Sequence, residues 1–134
     1  MSADVNIHAP EEADLPAMAT LLSAEGFGDD ALDRLLCGYS ELRRFSLIAM
    51  QNGELQGVLI ATFNGWHVFA SHVAVAPQSR QRGIGWVLIE ILARNAAGAS
   101  AKGIIVDARL SAVAFFQELE FRLLGAVFLI RDLS

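Results

Sequence analysis

Cysteine is nearly missing from this chain: Cys37 is the only one in 134 residues. A disulfide framework and a cysteine-based zinc site are thereby excluded, and no metal is expected. Cys37 has no partner base near it in sequence and reads as a buried packing residue. Charge is also sparse. Charged residues make up 19% of the chain and the net charge is −5, which argues against nucleic acid as a partner and is compatible with a cationic ligand such as an amine. No apolar run approaches the ~20 residues that cross a bilayer, because charge, Gly or Pro interrupts each one, so no membrane partner is expected. The start, Met1-Ser-Ala-Asp-Val-Asn-Ile7, lacks the basic-then-apolar pattern of a secretory signal. With the lone cysteine, this favours the cytoplasm.

What the chain has is apolar bulk. Hydrophobic residues reach 54% and the mean hydropathy is +0.42. At this length one domain, 1–134, is the expectation, with a well-filled core. The apolar surplus also fits an exposed face used for self-association, a homodimer. Trp86 and Ile89 lie off the main apolar stripe of their segment.

Along the chain, Val5 to Ala9 reads as a short strand. Asp14 and Pro16 mark a helix start, with Leu15, Met18, Ala19 and Leu22 on one face. Asp29 or Asp30 opens a second helix, with Leu32, Leu35, Leu36 and Tyr39 on one face. Apolar strands follow at about 44–51, 55–63 and 66–75. They are joined at Asn52-Gly53 and Asn64-Gly65, which are strong hairpin signals. A helix over 84–95, a small-residue loop to Gly103 and a short buried strand at 104–107 come next. That strand should run parallel to 66–75, because a helix crosses between them. A last helix covers about 111–119, and 121–124 and 126–131 read as closing strands.

The chain turns on the stretch from His72 to Ile91. Its apolar strand ends at Pro77, the basic loop Arg80-Gln-Arg-Gly-Ile-Gly85 follows, and then Ile84, Val87, Leu88, Ile91 and Leu92 recur with helical period. Strand, glycine loop and helix start together aim backbone N–H groups at an anion. Arg80 and Arg82 add positive charge, so the loop is a candidate seat for a phosphate-bearing ligand.

Over essentially the whole chain, this order of elements resembles the Gcn5-related N-acetyltransferase (GNAT) superfamily. Arg80, Gly83 and Gly85 fill the three positions of a motif similar to its acyl-CoA signature, Arg/Gln-x-x-Gly-x-Gly/Ala. Downstream, Ala112, Phe115 and Phe121 match its Ala-x-x-Phe-Tyr-x-x-x-Gly-Phe ending. The resemblance implies an α/β (α+β) fold, with a mixed, mostly antiparallel sheet of about six to seven strands and about four helices, splayed between the 66–75 and 104–107 strands. It implies acetyl-CoA as co-substrate in that opening. The pantetheine arm would pair with Val73, Ala74 and Val75 like an added strand. The pyrophosphate would take backbone N–H groups of Gln81, Arg82, Gly83, Ile84, Gly85 and Trp86 and the charge of Arg80 or Arg82. Arg109 and Phe116, at matching positions of the second motif, would face the same ligand. The implied activity is acetyl transfer to a primary amine of a small molecule or peptide, held by the two N-terminal helices and the 27–40 region.

The chain departs from the pattern where the chemistry lies. The position that often carries a proton-donating Tyr is Phe116. The usual Gly before the closing Phe is Glu120. The Asn often found at the start of the last helix is Arg109. Water or the substrate ammonium protonates the leaving thiolate, or another side chain does, or the protein binds acyl-CoA and does little chemistry. Tyr39, the only tyrosine, contributes only if its helix folds over the site. For a general base, no acid lies between Glu54 and Glu90. His67 and His72 titrate near ~6.5, and His72 is nearer the cofactor end. By alternation His72 should share a face with Ala70 and Ala74. Asp107 borders the opening as a second candidate, its alternative role being to cap the last helix.

Overall fold

The computed structural model describes residues 4–133. A five-stranded sheet runs in sequence order, β1 (Asn6–His8), β2 (Leu47–Gln51), β3 (Glu54–Phe63), β4 (His67–Val75) and β5 (Gly103–Val106). The first four are antiparallel neighbours, and β5 joins β4 in parallel. Four helices flank it, α1 (Leu15–Ala24), α2 (Ala31–Leu42), α3 (Ile84–Gly98) and α4 (Val113–Glu118). Both Asn-Gly pairs sit between consecutive strands, and Asn52 takes the left-handed φ of 55° that a tight hairpin requires.

Strand alternation builds two cores. On β2 and β3, Leu47, Ala49, Leu59 and Ala61 face α3, against Ile84, Leu88, Ile89 and Leu92. Ile48, Val58 and Ile60 face the other way, against Leu15, Met18 and Leu22 of α1 and Leu35 and Leu42 of α2. Every one of these side chains is at least nine-tenths buried. Gly57 of β3 lets α3 lie close to the sheet. A Cβ there would come within 3.1 Å of Ile84 and 3.2 Å of Leu88.

Several expectations need correcting. No strand follows β5 among the described residues, so the sheet has five strands and not six to seven. The segments 121–124 and 126–131 have strand composition but no ladder partner. Val127, Leu129 and Ile130 are more than 80% exposed. Helix α3 continues through Ala96 and Ala97 to Gly98, because alanine extends a helix well, so the loop begins later than expected. The inward face of α2 is Ala31, Leu35 and Leu42, whereas Leu32 and Leu36 point outward. Two apolar stripes coexist on that helix, and periodicity alone did not choose between them. Cys37 is exposed, not buried.

Candidate functional site

Strand β5 pairs with β4 only from His67↔Gly103 to Ala70↔Val106. One further bond, from Asp107 N–H to the Ala70 carbonyl at 3.1 Å, closes the pairing. Beyond it β4 continues to Val75 with no strand on that side among the described residues. The opening expected between these strands is therefore present, and a cavity of about 720 Å³ occupies it.

The cavity floor is the open half of β4, Ser71 and Val73 to Val75. One wall is the loop into α3, with Arg80, Gln81, Gly83, Ile84, Gly85 and Trp86. Gly83 precedes the first residue of α3 with φ of 80°, and Gln81 has φ of 65°. Such left-handed residues turn successive N–H groups toward one side, at the positive end of a helix of 15 residues. Ser79 is fully buried and donates its hydroxyl to the Gln56 amide oxygen. With the Ala76 N–H to Gln56 carbonyl bond of 2.8 Å, this fastens the loop to β3. The opposite wall is Asp107, Ala108, Arg109, Ala112, Phe115 and Phe116.

A third wall comes from the segment joining α1 to α2. Arg109 donates to the Glu25 carbonyl at 2.6 Å, and its guanidinium lies 5.2 Å from the Phe27 ring centre. Arg80 donates to the Glu25 carboxylate. Phe27 in turn stands 4.8 Å, ring to ring, from His72.

His72 lies just behind the cavity surface. Its Nδ1 is 2.7 Å from the Ser71 hydroxyl, and Ser71 lines the cavity. Burial lowers the pKa of His72 from its ordinary 6.5, and the negative charge of Asp107 partly opposes that shift. Its neighbours differ from those expected. The β3–β4 register slips between Ile60↔His72 and Ala61↔Ala70, leaving Ser71 as the extra residue of a bulge. Ala70 consequently packs toward α3 and Ala74 toward α1 and α2, so His72 shares a side with Ala74 and not with Ala70.

A family model of the acetyltransferase (GNAT) family matches residues 13–121. The chain belongs to that family. No protein with a curated function is significantly similar to it in sequence. Among solved structures, it resembles an aminoglycoside N-acetyltransferase in complex with CoA, with 24% identity, TM-score 0.79 and coverage of 98% of this chain and 97% of that one. A ribosomal-protein-alanine N-acetyltransferase from Brucella melitensis biovar Abortus 2308 gives 22% identity and TM-score 0.80, covering 96% of this chain and all of that one. A transcriptional regulator from Bacillus halodurans C-125 gives 18% identity and TM-score 0.83, again over 96% and 100%. At these identities the likeness establishes the mixed α/β GNAT fold.

Set in that fold, the signature residues Arg80, Gly83 and Gly85 meet at the cavity, and so do Val73, Ala74, Val75, Gln81, Ile84, Trp86, Asp107, Arg109 and Phe116. Arg82 stands exposed outside the wall, and His72 reaches the space only through Ser71. Asp107 does not cap α4, whose N-cap is Ala112; the preceding 3-10 turn begins at Leu110, with Arg109 as its N-cap. Tyr39 is not in the wall, and its hydroxyl donates to the Pro10 carbonyl at 3.0 Å. Phe116 is buried between Phe115 and Phe121, with ring centres 5.1 and 5.5 Å away. Sequence reasoning missed Glu25, and it reached Phe27 only as the edge of the 27–40 region expected to hold the acceptor. The only signal there was a break marked by Gly26 and Gly28, and pairing with Arg80 and Arg109 is a tertiary fact that no local pattern encodes.

Proposed function

We propose that this protein is an acetyl-CoA-dependent N-acetyltransferase, acting as a single domain in the cytoplasm on a primary amine of a small molecule or peptide. The observation that carries it is the coincidence of the half-unpaired β4 edge with the glycine-bounded start of α3 in one cavity. The backbone of Val73 to Val75 would take the pantetheine arm as an extra strand. The N–H groups from Gln81 to Trp86, with Arg80, would take the pyrophosphate. The similar aminoglycoside N-acetyltransferase in complex with CoA and the similar ribosomal-protein-alanine N-acetyltransferase support this donor and this type of acceptor. No metal is required.

The reaction is direct attack. The amine nitrogen bonds to the thioester carbon, the tetrahedral intermediate collapses and the carbon–sulfur bond breaks. The proton leaving nitrogen passes to the Ser71 hydroxyl as that hydroxyl gives its own to His72. A histidine held neutral by burial is suited to accept it at neutral pH. Asp107 steadies the imidazolium that forms. The thiolate leaves without a tyrosine and takes its proton from water or from a substrate ammonium. Thiol release on mixing acetyl-CoA with a panel of primary amines tests the proposal; silence across the panel despite CoA binding overturns the catalytic part.

A second reading is favoured by Phe116, which presents a ring where a proton donor is expected: a binding module that holds acyl-CoA with little turnover. Phe116→Tyr separates the two. A rise in rate of about a hundredfold or more, the usual range for general acid catalysis, is expected of an enzyme. No turnover in either form supports the module. The apolar tail from 123 to 133 further supports a homodimer.

A further inference from the structure

Arg80 is the signature arginine, yet in this structure its guanidinium is already engaged by the Glu25 carboxylate. Glu25 keeps 19% of its side-chain exposure and Arg80 keeps 51%. The same residue's carbonyl is held by Arg109, which also lies over Phe27. The 25–28 segment is thus clasped over one end of the cavity by two arginines from opposite walls. The backbone of the segment is fixed independently of these arginines. Gly26, with φ of 92°, gives its N–H to the Ser23 carbonyl at 3.1 Å and Phe27 to the Leu22 carbonyl at 3.0 Å, a Schellman ending of α1, so what can exchange is the Glu25 side chain.

We propose that Glu25 holds the place of the donor's phosphate: its carboxylate occupies Arg80 until the pyrophosphate of acyl-CoA displaces it, and its release leaves an unpaired carboxylate at the acceptor end of the cavity. This rests on the acyl-CoA reading above. The exchange is favourable because a half-exposed carboxylate–guanidinium pair contributes little. A pyrophosphate carries more charge and gains backbone N–H groups at the start of α3 as well. Once released, Glu25 is a partly buried carboxylate without its counter-ion, which favours a cation nearby. A cationic amine entering from the α1–α2 side supplies one. Donor binding therefore precedes and promotes acceptor binding, and Glu25 selects acceptors that carry positive charge.

The test is a titration of wild type and Glu25→Gln with CoA, followed by calorimetry or by the fluorescence of Trp86 in the loop, and repeated with S-acetylpantetheine, which lacks the pyrophosphate. The glutamine variant should bind CoA about two- to fivefold more tightly, the scale of a partly exposed ion pair, with no difference for the pantetheine fragment. Its KM for a cationic amine should rise. Equal CoA constants in the two proteins overturn the proposal, as does an equal change for CoA and the fragment, which would mark a purely structural effect. Absence of CoA binding by both proteins overturns the donor reading itself, and this inference with it.

Discussion

Glu120 sits where glutamate is poorly suited. Its φ is 70°, in the left-handed region. Its N–H bonds to the Gln117 carbonyl at 3.1 Å, and Phe121 N–H bonds to Phe116 at the same distance. With the Phe116–Phe121 ring contact, this is a Schellman ending of α4. Replacing Glu120 with Gly removes the Cβ conflict, and an increase of about 1 kcal/mol in unfolding free energy is expected in denaturant titration. His72 makes a second prediction at this scale. Its folded pKa is lowered from 6.5, so the unfolded chain binds the proton more tightly and stability falls as pH drops through that region. The acid limb of kcat/KM should lie below 6.5 for the same reason. Asp107→Asn removes the influence that raises this pKa and should move the limb to still lower pH. A limb that stays put, or survives His72→Gln, would show that another group takes the proton. The position of Glu120 was legible from the sequence as a departure from a glycine pattern. The burial of His72 was not, because the bulge at Ser71 changes which side each β4 residue faces, and a one-residue slip leaves no mark in composition.

Helix α3 is the element on which the site depends. Its start carries the proposed phosphate seat, and its inner face rests on β3 at Gly57. Gly57→Val would push isopropyl carbons into Ile84 and Leu88. A loss of about 1–3 kcal/mol is expected from overpacking, visible in the thermal midpoint. Because Ile84 is the first residue of α3, the same change should weaken CoA binding although Gly57 is not in the cavity wall. The strand–loop–helix order at 67–98 was readable because its signals are local: two hairpin turns, Pro77, two glycines and a change of period. Helix α2 was less readable. Its outward Leu32 and Leu36 extend an apolar stripe as well as the inward residues do, and tertiary packing alone distinguished them.

At the scale of the whole molecule, the apolar surplus has a location. Leu123, Val127, Phe128, Leu129, Ile130 and Leu133 are each at least 70% exposed, so they form a surface liability. Phe128 makes one aromatic contact, stacking on Phe69 of β4 at 5.8 Å. If the tail mediates the proposed homodimer, Leu129→Asp with Ile130→Asp should halve the mass seen in sedimentation while thiol release persists. A monomeric wild type refutes the homodimer. Composition announced this surplus but could not say where it would lie, since a continuous apolar run reads as a buried strand until the sheet offers it a neighbour. The parting of β5 from β4 has a wider consequence. Five residues of the central sheet, Ser71 to Val75, have backbone on one side that no strand among the described residues covers. A ligand lying there would complete the architecture, so the proposed donor would act as a missing strand in the thermodynamics of folding. Cellular acyl-CoA concentration would then set how rigid the protein is before any amine arrives.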